Sequence, residues 1–337
     1  MADQEPLLAT EQLKTVPEWL YEYRCGITIA GIMWTANCFC AGLHLGLAIW
    51  TVSVAGGGEG GLTTPTLRVY LTNLTWVPDS TNALVPVNVA AGSGLPLAYF
   101  TLLFFLLSAL AHGTICVGNY CQAFAVNYKE WREITYWTGW YYVWIHNCRQ
   151  PLRWAEYSFS ASVMIITIAI ASGVAHLYMI GAIFALIWST MLFGHFTEAL
   201  SRPVSRGPNK RPEKWAIKSC RRRLYPHFLG YGPYLTAWAI LMHSFWWNVS
   251  GDAAYSGDGG GPPSFVYIIV VGQFAVFTVF GFTQLFNQSL QSGPSWYVWG
   301  EFSYLVLSLF SKGLLGVTLV FNVLVYQSFD EAVRAAR

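Results

Sequence analysis

Apolar residues fall into seven long stretches, separated from one another by polar, glycine-rich or basic segments. A helix needs about 20 predominantly apolar residues to cross the hydrocarbon core of a bilayer, and every stretch is long enough. The stretches cover residues 25–54, 94–118, 147–173, 176–200, 226–250, 265–290 and 297–327. The pattern predicts an all-α integral membrane protein, folded as a single seven-helix domain over residues 1–337.

Four segments outside these stretches have a distinct character. Residues 1–24 are charged and lack the apolar core of a signal peptide, so we expect them to remain as an N-terminal segment. Residues 55–93 open with glycines and continue with a β-rich run, which predicts a loop containing a β-hairpin. Residues 128–147 are rich in Trp and Tyr and favour an interfacial helix, whereas residues 201–225 form a basic loop.

Basic residues are distributed unevenly between the two sides of the predicted bundle. Fifteen of the nineteen Lys and Arg residues lie on the side of the N-terminus, and nine of these fall between residues 202 and 223. Because cytoplasmic loops carry the excess of Lys and Arg, we expect a cytoplasmic N-terminus and an extracellular C-terminus in the plasma membrane. The 201–225 loop either fixes this topology by lying on anionic lipid or docks a cytoplasmic signalling partner.

Composition narrows the class of protein, since 54% of the 337 residues are hydrophobic, 11% are charged and the mean hydropathy is +0.41. These values exclude an ordinary soluble domain. The seven cysteines fall in predicted spans or on the cytoplasmic side, so no disulfide framework is expected. Without an H-x-x-x-H pair, paired cysteines, a phosphate loop or a clear Ser/His/Asp set, we expect no metal site, no enzyme and no nucleic-acid partner.

Lys312 stands near the middle of the last apolar stretch. A charged side chain at the bilayer centre costs about 2.5–3.5 kcal/mol on insertion scales, so such residues usually lie inside a bundle and carry function. The lysine is roughly fifteen residues, or about 22 Å, from either end of its stretch, too far for its side chain to reach the membrane surface. A buried lysine is well suited to condense with an aldehyde, and one buried carboxylate can balance the protonated imine.

The acidic residues offer one partner at this depth. Glu156 is the only acid well inside a predicted span, and one deep acid beside one deep base is the simplest neutral arrangement. Glu198 and Glu301 lie near the cytoplasmic ends of their spans. Glu198 is also one helical turn from Arg202, so an ordinary pair at a helix end is an alternative interpretation of this carboxylate.

Further polar side chains lie one helical turn from the two ions or within neighbouring spans, and they are Arg153, Ser160, Ser308, His44, His112 and Ser108. Residues three or four apart share a helical face, so Arg153 and Ser160 lie beside Glu156. A single histidine in a span is more often a packing residue. Two histidines, in spans that would adjoin the last one in a closed bundle, leave both interpretations open.

Three segments resemble the heliorhodopsin family of retinal-binding membrane proteins. Residues 153–165, RWAEYSFSASVMI, resemble the helix of the counterion, and residues 300–312, GEFSYLVLSLFSK, resemble the retinal-bearing seventh helix. Residues 107–112, LSALAH, are similar to the second helix of that family. The resemblance is spread over all spans and implies a rhodopsin-like bundle with an inverted, cytoplasmic N-terminus. The loops 128–147 and 201–225 look longer than is usual in the family, so functions of its loops are not transferred.

The resemblance also implies roles for individual residues. Lys312 would bind all-trans retinal as a protonated Schiff base, and Glu156 would be its counterion. The Schiff-base environment and a cavity that accepts its proton would contain Ser308, His44, His112, Ser108 and Arg153. The retinal pocket would contain Tyr157, Ser160, Met164, Trp238, Phe277, Phe280 and Gln284. A homodimer in the lipid membrane is implied as well.

These features favour a light sensor, in which isomerised retinal moves the Schiff-base proton and the helices respond at the cytoplasmic face. A pump is disfavoured because vectorial transport needs titratable groups on both sides of the lysine, and the external halves of the spans contain no carboxylate. The alternative is a light-gated proton channel through Glu156, Glu198 and Glu301. A third hypothesis, a retinal-independent scaffold or enzyme regulator, predicts a protein without pigment.

Overall fold

The computed structural model describes most of the chain. The described residues are 15–24, 26–55, 68–78, 80, 83–127, 129–135, 137–201, 203–204, 214–215, 219–250, 264–290 and 293–324. Much of the N-terminal segment, the glycine-rich start of the 55–93 loop and most of the basic loop therefore lie outside the described residues.

Seven long helices follow the predicted stretches. They are α1 (Ile29–Ala55), α2 (Leu97–Gly118), α3 (Pro151–Ala171), α4 (Leu177–Ser201), α5 (Cys220–Ser250), α6 (Ser264–Leu290) and α7 (Pro294–Leu319). Prolines occupy the first turns of α3 and α7, where the missing backbone N–H costs nothing because it would have no partner within the helix. A π-helical segment, Ile268–Gly272, lies within α6, and a second one, Val320–Leu324, continues α7.

The helices close into a ring, because each one packs on the next and α7 packs on both α1 and α2. The third helix is the most enclosed: 72% of its apolar window is buried, against 22% in α1 and in α4. Its Ile165 and Ile168 belong to the main core, which also contains Trp238 from α5. Residues of α3 pack on α2 and α4 and also form hydrogen bonds with α7.

The composition of α5 differs from the prediction of seven equally apolar spans. Six of the described helices are long and apolar enough to cross a membrane, and α5 is not among them. Internal Pro226 and Pro233, an arginine-rich first turn and several Tyr, His and Trp residues lower its hydropathy. The helix also begins at Cys220 rather than at residue 226, so the end of the predicted basic loop is helical. It nevertheless packs between α4 and α6 in the ring.

A β-hairpin connects α1 to α2. Its strands, β1 (Arg68–Pro78) and β2 (Leu84–Pro96), pair antiparallel and extend well beyond the β-rich run recognised in the sequence. The backbone N–H of Thr72 donates to the carbonyl of Ala175 over 2.8 Å, which holds the hairpin against the turn between α3 and α4. Gly173 in that turn has a φ of +88°, a conformation that few residues other than glycine adopt readily.

The aromatic segment 128–147 contains less helix than predicted. A 3-10 turn spans Lys129–Arg132, and a short α-helix, Trp140–His146, begins after Gly139. Gly139 has a φ of +79°, so it sets a late start for this helix. Tyr128 and Tyr136, which were part of the prediction, lie outside the described residues.

Residues from the N-terminal segment pack on this aromatic segment, at the end of the ring opposite to the hairpin. The backbone N–H of Val16 donates to the carbonyl of Arg132 over 2.8 Å. Trp19 Nε1 donates to Nδ1 of His146 over 3.0 Å, and both side chains are buried. Burial lowers the pKa of His146 to about 4, so the ring is neutral at physiological pH and can accept this hydrogen bond.

Candidate functional site

Lys312 on α7 and Glu156 on α3 form a buried ion pair, called here the Lys312 pair. The Nζ atom of Lys312 lies 3.0 Å from Oε1 of Glu156, and the two side chains are only 3% and 6% exposed. A buried charge without a partner is costly, so each of these residues requires the other. The structure thus brings together the two residues that the sequence marked as the deepest base and acid.

Two serines and a tyrosine complete the surroundings of the pair. Ser308, one turn before Lys312, accepts a hydrogen bond from Nζ over 2.8 Å. Ser108 on α2 donates to Oε1 of Glu156 over 2.6 Å, which supports the ionised carboxylate. The ring of Tyr157 lies 5.0 Å from Nζ, within the range of a cation–π interaction. Three helices, α2, α3 and α7, therefore position one ammonium group in a defined geometry.

A small polar cavity of about 330 Å³ adjoins Glu156 on the side of the N-terminal segment. It is lined by residues of α1, α2, α3 and α7, among them Asn37, His112, Arg153, Glu156 and Glu301. His112 Nδ1 lies 2.8 Å from Oδ1 of Asn37. The amide of Asn37 was not recognised from the sequence, because a single Asn in an apolar span carries no periodic signal.

His44 lies behind His112 and outside the lining of the polar cavity. Its ring is fully buried, and the two imidazoles stack with centroids 5.9 Å apart and planes inclined by 9°. Neither ring nitrogen of His44 has a hydrogen-bond partner among the described residues. The two histidines are thus adjacent, but of the two that the resemblance places in a cavity, only His112 lines it.

Arg153 forms a second buried ionic group, called here the Arg153 cluster and made of Arg153, Glu198, Glu301 and Tyr297. Its Nη2 atom lies 2.5 Å from Oε1 of Glu198, and its Nη1 atom contacts Oε2 of Glu301. The three charged side chains are at most 5% exposed. The guanidinium also lies 4.1 Å from the ring centroid of Tyr304. One cation therefore faces two carboxylates in a desolvated site.

Glu198 is held by four donors from two helices, α3 and α7, and a loop. Arg153 and the hydroxyl of Tyr297 both reach Oε1, the latter over 2.7 Å. Trp154 Nε1 and the backbone N–H of Gln150 reach Oε2 over 2.7 and 2.9 Å. Glu198 is therefore a buried member of an ionic network, and Arg202, its partner in the alternative interpretation, lies outside the described residues. The sequence did not reveal this network, because the partners are separated by tens of residues or more.

A larger cavity of about 840 Å³ lies on the other side of Lys312, between α3, α4, α5, α6 and α7. It is called here the apolar cavity, since aromatic and aliphatic side chains dominate its lining. Of the residues predicted for a retinal pocket, those that line it are Tyr157, Ser160, Met164, Phe277, Phe280 and Gln284, together with Lys312 and Ser308. Trp238 is not part of the lining. It packs behind Phe277, with ring centroids 5.8 Å apart.

Several lining residues escaped the sequence analysis. The most prominent are Trp154 and Tyr304 near the Arg153 cluster, Tyr231 and Tyr234 on α5, and Ser311 beside the lysine. Tyr231 and Tyr234 are three residues apart on one helical face, a signal that was present in the sequence. It does not stand out because the aromatic content of this chain is high throughout.

The family model for heliorhodopsin matches residues 33–324, which includes all seven helices except the first four residues of α1. The chain belongs to the heliorhodopsin family. The resemblance noted in three segments is thereby confirmed, as is the expectation of a helical membrane bundle. Family membership makes the protein a rhodopsin-type light-sensing membrane protein and implies a retinal chromophore. No curated protein matches the sequence.

The residues of this heliorhodopsin fit such a chromophore. A buried primary amine lines a cavity with many aromatic rings, and a carboxylate lies 3.0 Å from it. Aromatic and apolar linings with a few placed polar groups are typical of small-molecule sites.

Within the described part of the chain, no group of three or more His, Cys, Asp or Glu side chains could hold a metal ion.

Proposed function

We propose that this heliorhodopsin is a photosensor in which Lys312 holds all-trans retinal through an imine and Glu156 is the counterion. The observation that carries the proposal is the position of the lysine. Its Nζ atom lies between a carboxylate oxygen at 3.0 Å and a serine hydroxyl at 2.8 Å, at the edge of the apolar cavity. Retinal held there supplies light absorption and a change of shape upon isomerisation.

The protein side chains fix the charge at this nitrogen. Glu156 favours the protonated imine because an opposite charge within about 4–6 Å stabilises the charged form. Ser108 keeps the carboxylate oriented by donating to the oxygen that also faces Lys312. Ser308 lies on the same helical face as the lysine and supplies a hydroxyl that can turn between donor and acceptor.

Proton movement should remain on one side of the bundle. The polar cavity joins Glu156 to His112 and to Glu301, whereas the spanning helices carry no carboxylate on the side of the hairpin. We infer that a proton leaving the imine stays in this cavity and later returns, without net transport. The N-terminus and the polar cavity lie on the side that carries the excess of Lys and Arg, which favours a cytoplasmic location for both.

Expression with all-trans retinal, followed by spectroscopy and electrical recording, tests the proposal. We expect a visible absorption band, a photocycle, no sustained pH change in weakly buffered illuminated cells, and at most transient currents under voltage clamp. A colourless folded protein would contradict the pigment and favour the scaffold hypothesis. Cells that express the Lys312→Arg variant provide the matched control, since that variant keeps the positive charge but forms no imine.

A light-gated proton channel is the second candidate function. It is supported by the polar cavity, because this cavity brings Glu156 and Glu301 to a common space. A stationary photocurrent that reverses at the proton equilibrium potential would favour the channel over the sensor. A homodimer in the plasma membrane and a cytoplasmic partner that docks at the basic loop belong to the same proposal, and crosslinking in native membranes would test both.

A further inference from the structure

His227 on α5 lines the apolar cavity at the wall formed by α4 and α5. Lys312 belongs to α7, which packs on α6, α1 and α2, whereas α4 and α5 pack on each other. The lysine and the histidine therefore line one space from two helices, α7 and α5, that are not neighbours in the ring. His227 is only 5% exposed, and its Nε2 atom has no hydrogen-bond partner among the described residues.

The protonation of His227 follows from its neighbours. Gln284 Nε2 lies 2.7 Å from the carbonyl oxygen of Gly194, which can only accept, so the amide orientation of Gln284 is fixed. The amide oxygen of Gln284 then faces Nδ1 of His227 at 3.0 Å, and this oxygen also only accepts. The ring proton of neutral His227 must therefore be on Nδ1. As a result, Nε2 carries a lone pair and acts as an acceptor.

The local backbone packs the helix that carries this acceptor closely against α4. A Cβ atom on Gly230, one turn after His227, would come within 3.0 Å of Phe193, so glycine lets α5 approach α4 closely. The ring of Tyr231 lies perpendicular to the imidazole at 5.2 Å and covers it. A buried acceptor without a donor is unfavourable, and within an aromatic lining a hydroxyl group of the bound molecule can remove that penalty.

We propose that His227 forms a polar subsite for a hydroxyl group at the end of the chromophore remote from Lys312. The ligand class is an all-trans retinal that carries a hydroxyl on its ring, with the O–H donating to Nε2 of His227. This inference rests on the proposed function for the attachment at Lys312. The acceptor role of His227 itself depends only on its contacts with Gln284 and the cavity.

A competition experiment measures the preference. The apoprotein is incubated with equal amounts of all-trans retinal and all-trans 3-hydroxyretinal, and the bound chromophores are extracted and quantified. One neutral hydrogen bond predicts an enrichment of the hydroxylated form of roughly threefold to tenfold. His227→Phe should bring the ratio to about one. His243→Phe, a change of an exposed histidine of the same helix that lies outside the apolar cavity, should leave it unchanged.

A second measurement does not need the imine. Quenching of tryptophan fluorescence in the apoprotein reports the affinities of β-ionone and 3-hydroxy-β-ionone, which represent the ring alone. We expect the hydroxylated fragment to bind more tightly by a similar factor in the unmodified protein and equally in His227→Phe. Equal binding in the unmodified protein would overturn the subsite and leave His227 to a bound water. Absence of pigment with the fragment preference intact would instead refute only the attachment at Lys312.

Discussion

The two buried ionic groups of this protein differ in composition and in chemistry. The Lys312 pair contains one cation and one anion, whereas the Arg153 cluster contains one cation and two carboxylates. Both groups are at most 6% exposed, so neither can rely on water to stabilise its charges. The difference shows that burial alone does not identify the reactive site.

The cations distinguish the two groups. An ammonium can lose its proton and condense with an aldehyde, while a guanidinium stays charged and presents a rigid fork of donors. Arg153 uses that fork to join Glu198 on α4 to Glu301 on α7, and it therefore ties three helices together. Lys312 makes fewer contacts and faces open space in the apolar cavity. The pair is suited to chemistry, and the cluster to structure.

Replacement of the reactive cation should have the largest effect. Lys312→Ala and Lys312→Arg should both abolish the visible absorption band, because neither side chain forms an imine. The arginine variant keeps a partner for Glu156 and should retain the fold better than the alanine variant. Absorption spectra and size-exclusion profiles of the two purified proteins check this. Colour in either variant would remove Lys312 as the attachment site.

Replacement of the structural cation should mainly affect stability. Arg153→Gln leaves two buried carboxylates without their partner, and breaking a buried pair in this way costs about 3–5 kcal/mol. The unfolding transition in detergent should move to markedly lower denaturant concentration. Arg153→Lys keeps the charge but loses the fork, so its transition should lie between the two. A transition equal to that of the unmodified protein would show that the cluster does not hold the helices together.

The acids of the two groups should differ in their effect on colour. Glu156→Gln removes the charge next to the imine, so the absorption band should shift and the protonated fraction at neutral pH should fall. Glu301→Gln is the matched control, because it removes a buried carboxylate of the cluster that does not contact Lys312. Absorption spectra recorded across a pH titration compare the two variants. Equal shifts would mean that both carboxylates act as counterions.

The Lys312 pair could be predicted from the sequence because each member is a lone charge deep in an apolar stretch. Glu301 and Glu198 were predicted as acids near span ends and as possible conducting groups, and Arg153 as a neighbour of Glu156 in the Schiff-base environment, but not as members of one cluster. Their mutual contacts depend on how α3, α4 and α7 are aligned along the membrane normal, which no local pattern encodes. The i, i+3 and i, i+4 spacings relate residues of one helix and do not predict contacts between helices.

The predicted retinal pocket also contains positions that the sequence located correctly and positions that depend on contacts between helices. Residues of α3, such as Tyr157 and Met164, lie in the apolar cavity as the family resemblance implied. Trp238 does not, because it packs behind Phe277 rather than beside the cavity. The tautomer of His227 was also out of reach, since it follows from Gln284 and Gly194 on two other helices.

Replacement of either acid of the Arg153 cluster should have the smallest effect of all on electrical activity. In a sensor, the proton that leaves the imine remains in the polar cavity, so Glu198→Gln and Glu301→Gln should leave the pigment intact and voltage-clamped cells without stationary photocurrent. The two variants should still differ in stability. Glu301→Gln leaves one carboxylate for one guanidinium, whereas Glu198→Gln puts an NH₂ group in place of an oxygen that accepts two hydrogen bonds.

The expected difference in stability between the two variants distinguishes a structural role of these carboxylates from a role in proton conduction. If the unmodified protein carried a stationary current, and Glu301→Gln abolished that current without loss of stability or colour, Glu301 would be a conducting group and the channel would replace the sensor. The other outcome is that the unmodified protein and both variants carry no stationary current and only Glu198→Gln unfolds more easily. In that case the cluster stabilises the helix packing, and proton transfer involves the Lys312 pair without the cluster. Currents and unfolding curves from the same preparations decide between these outcomes.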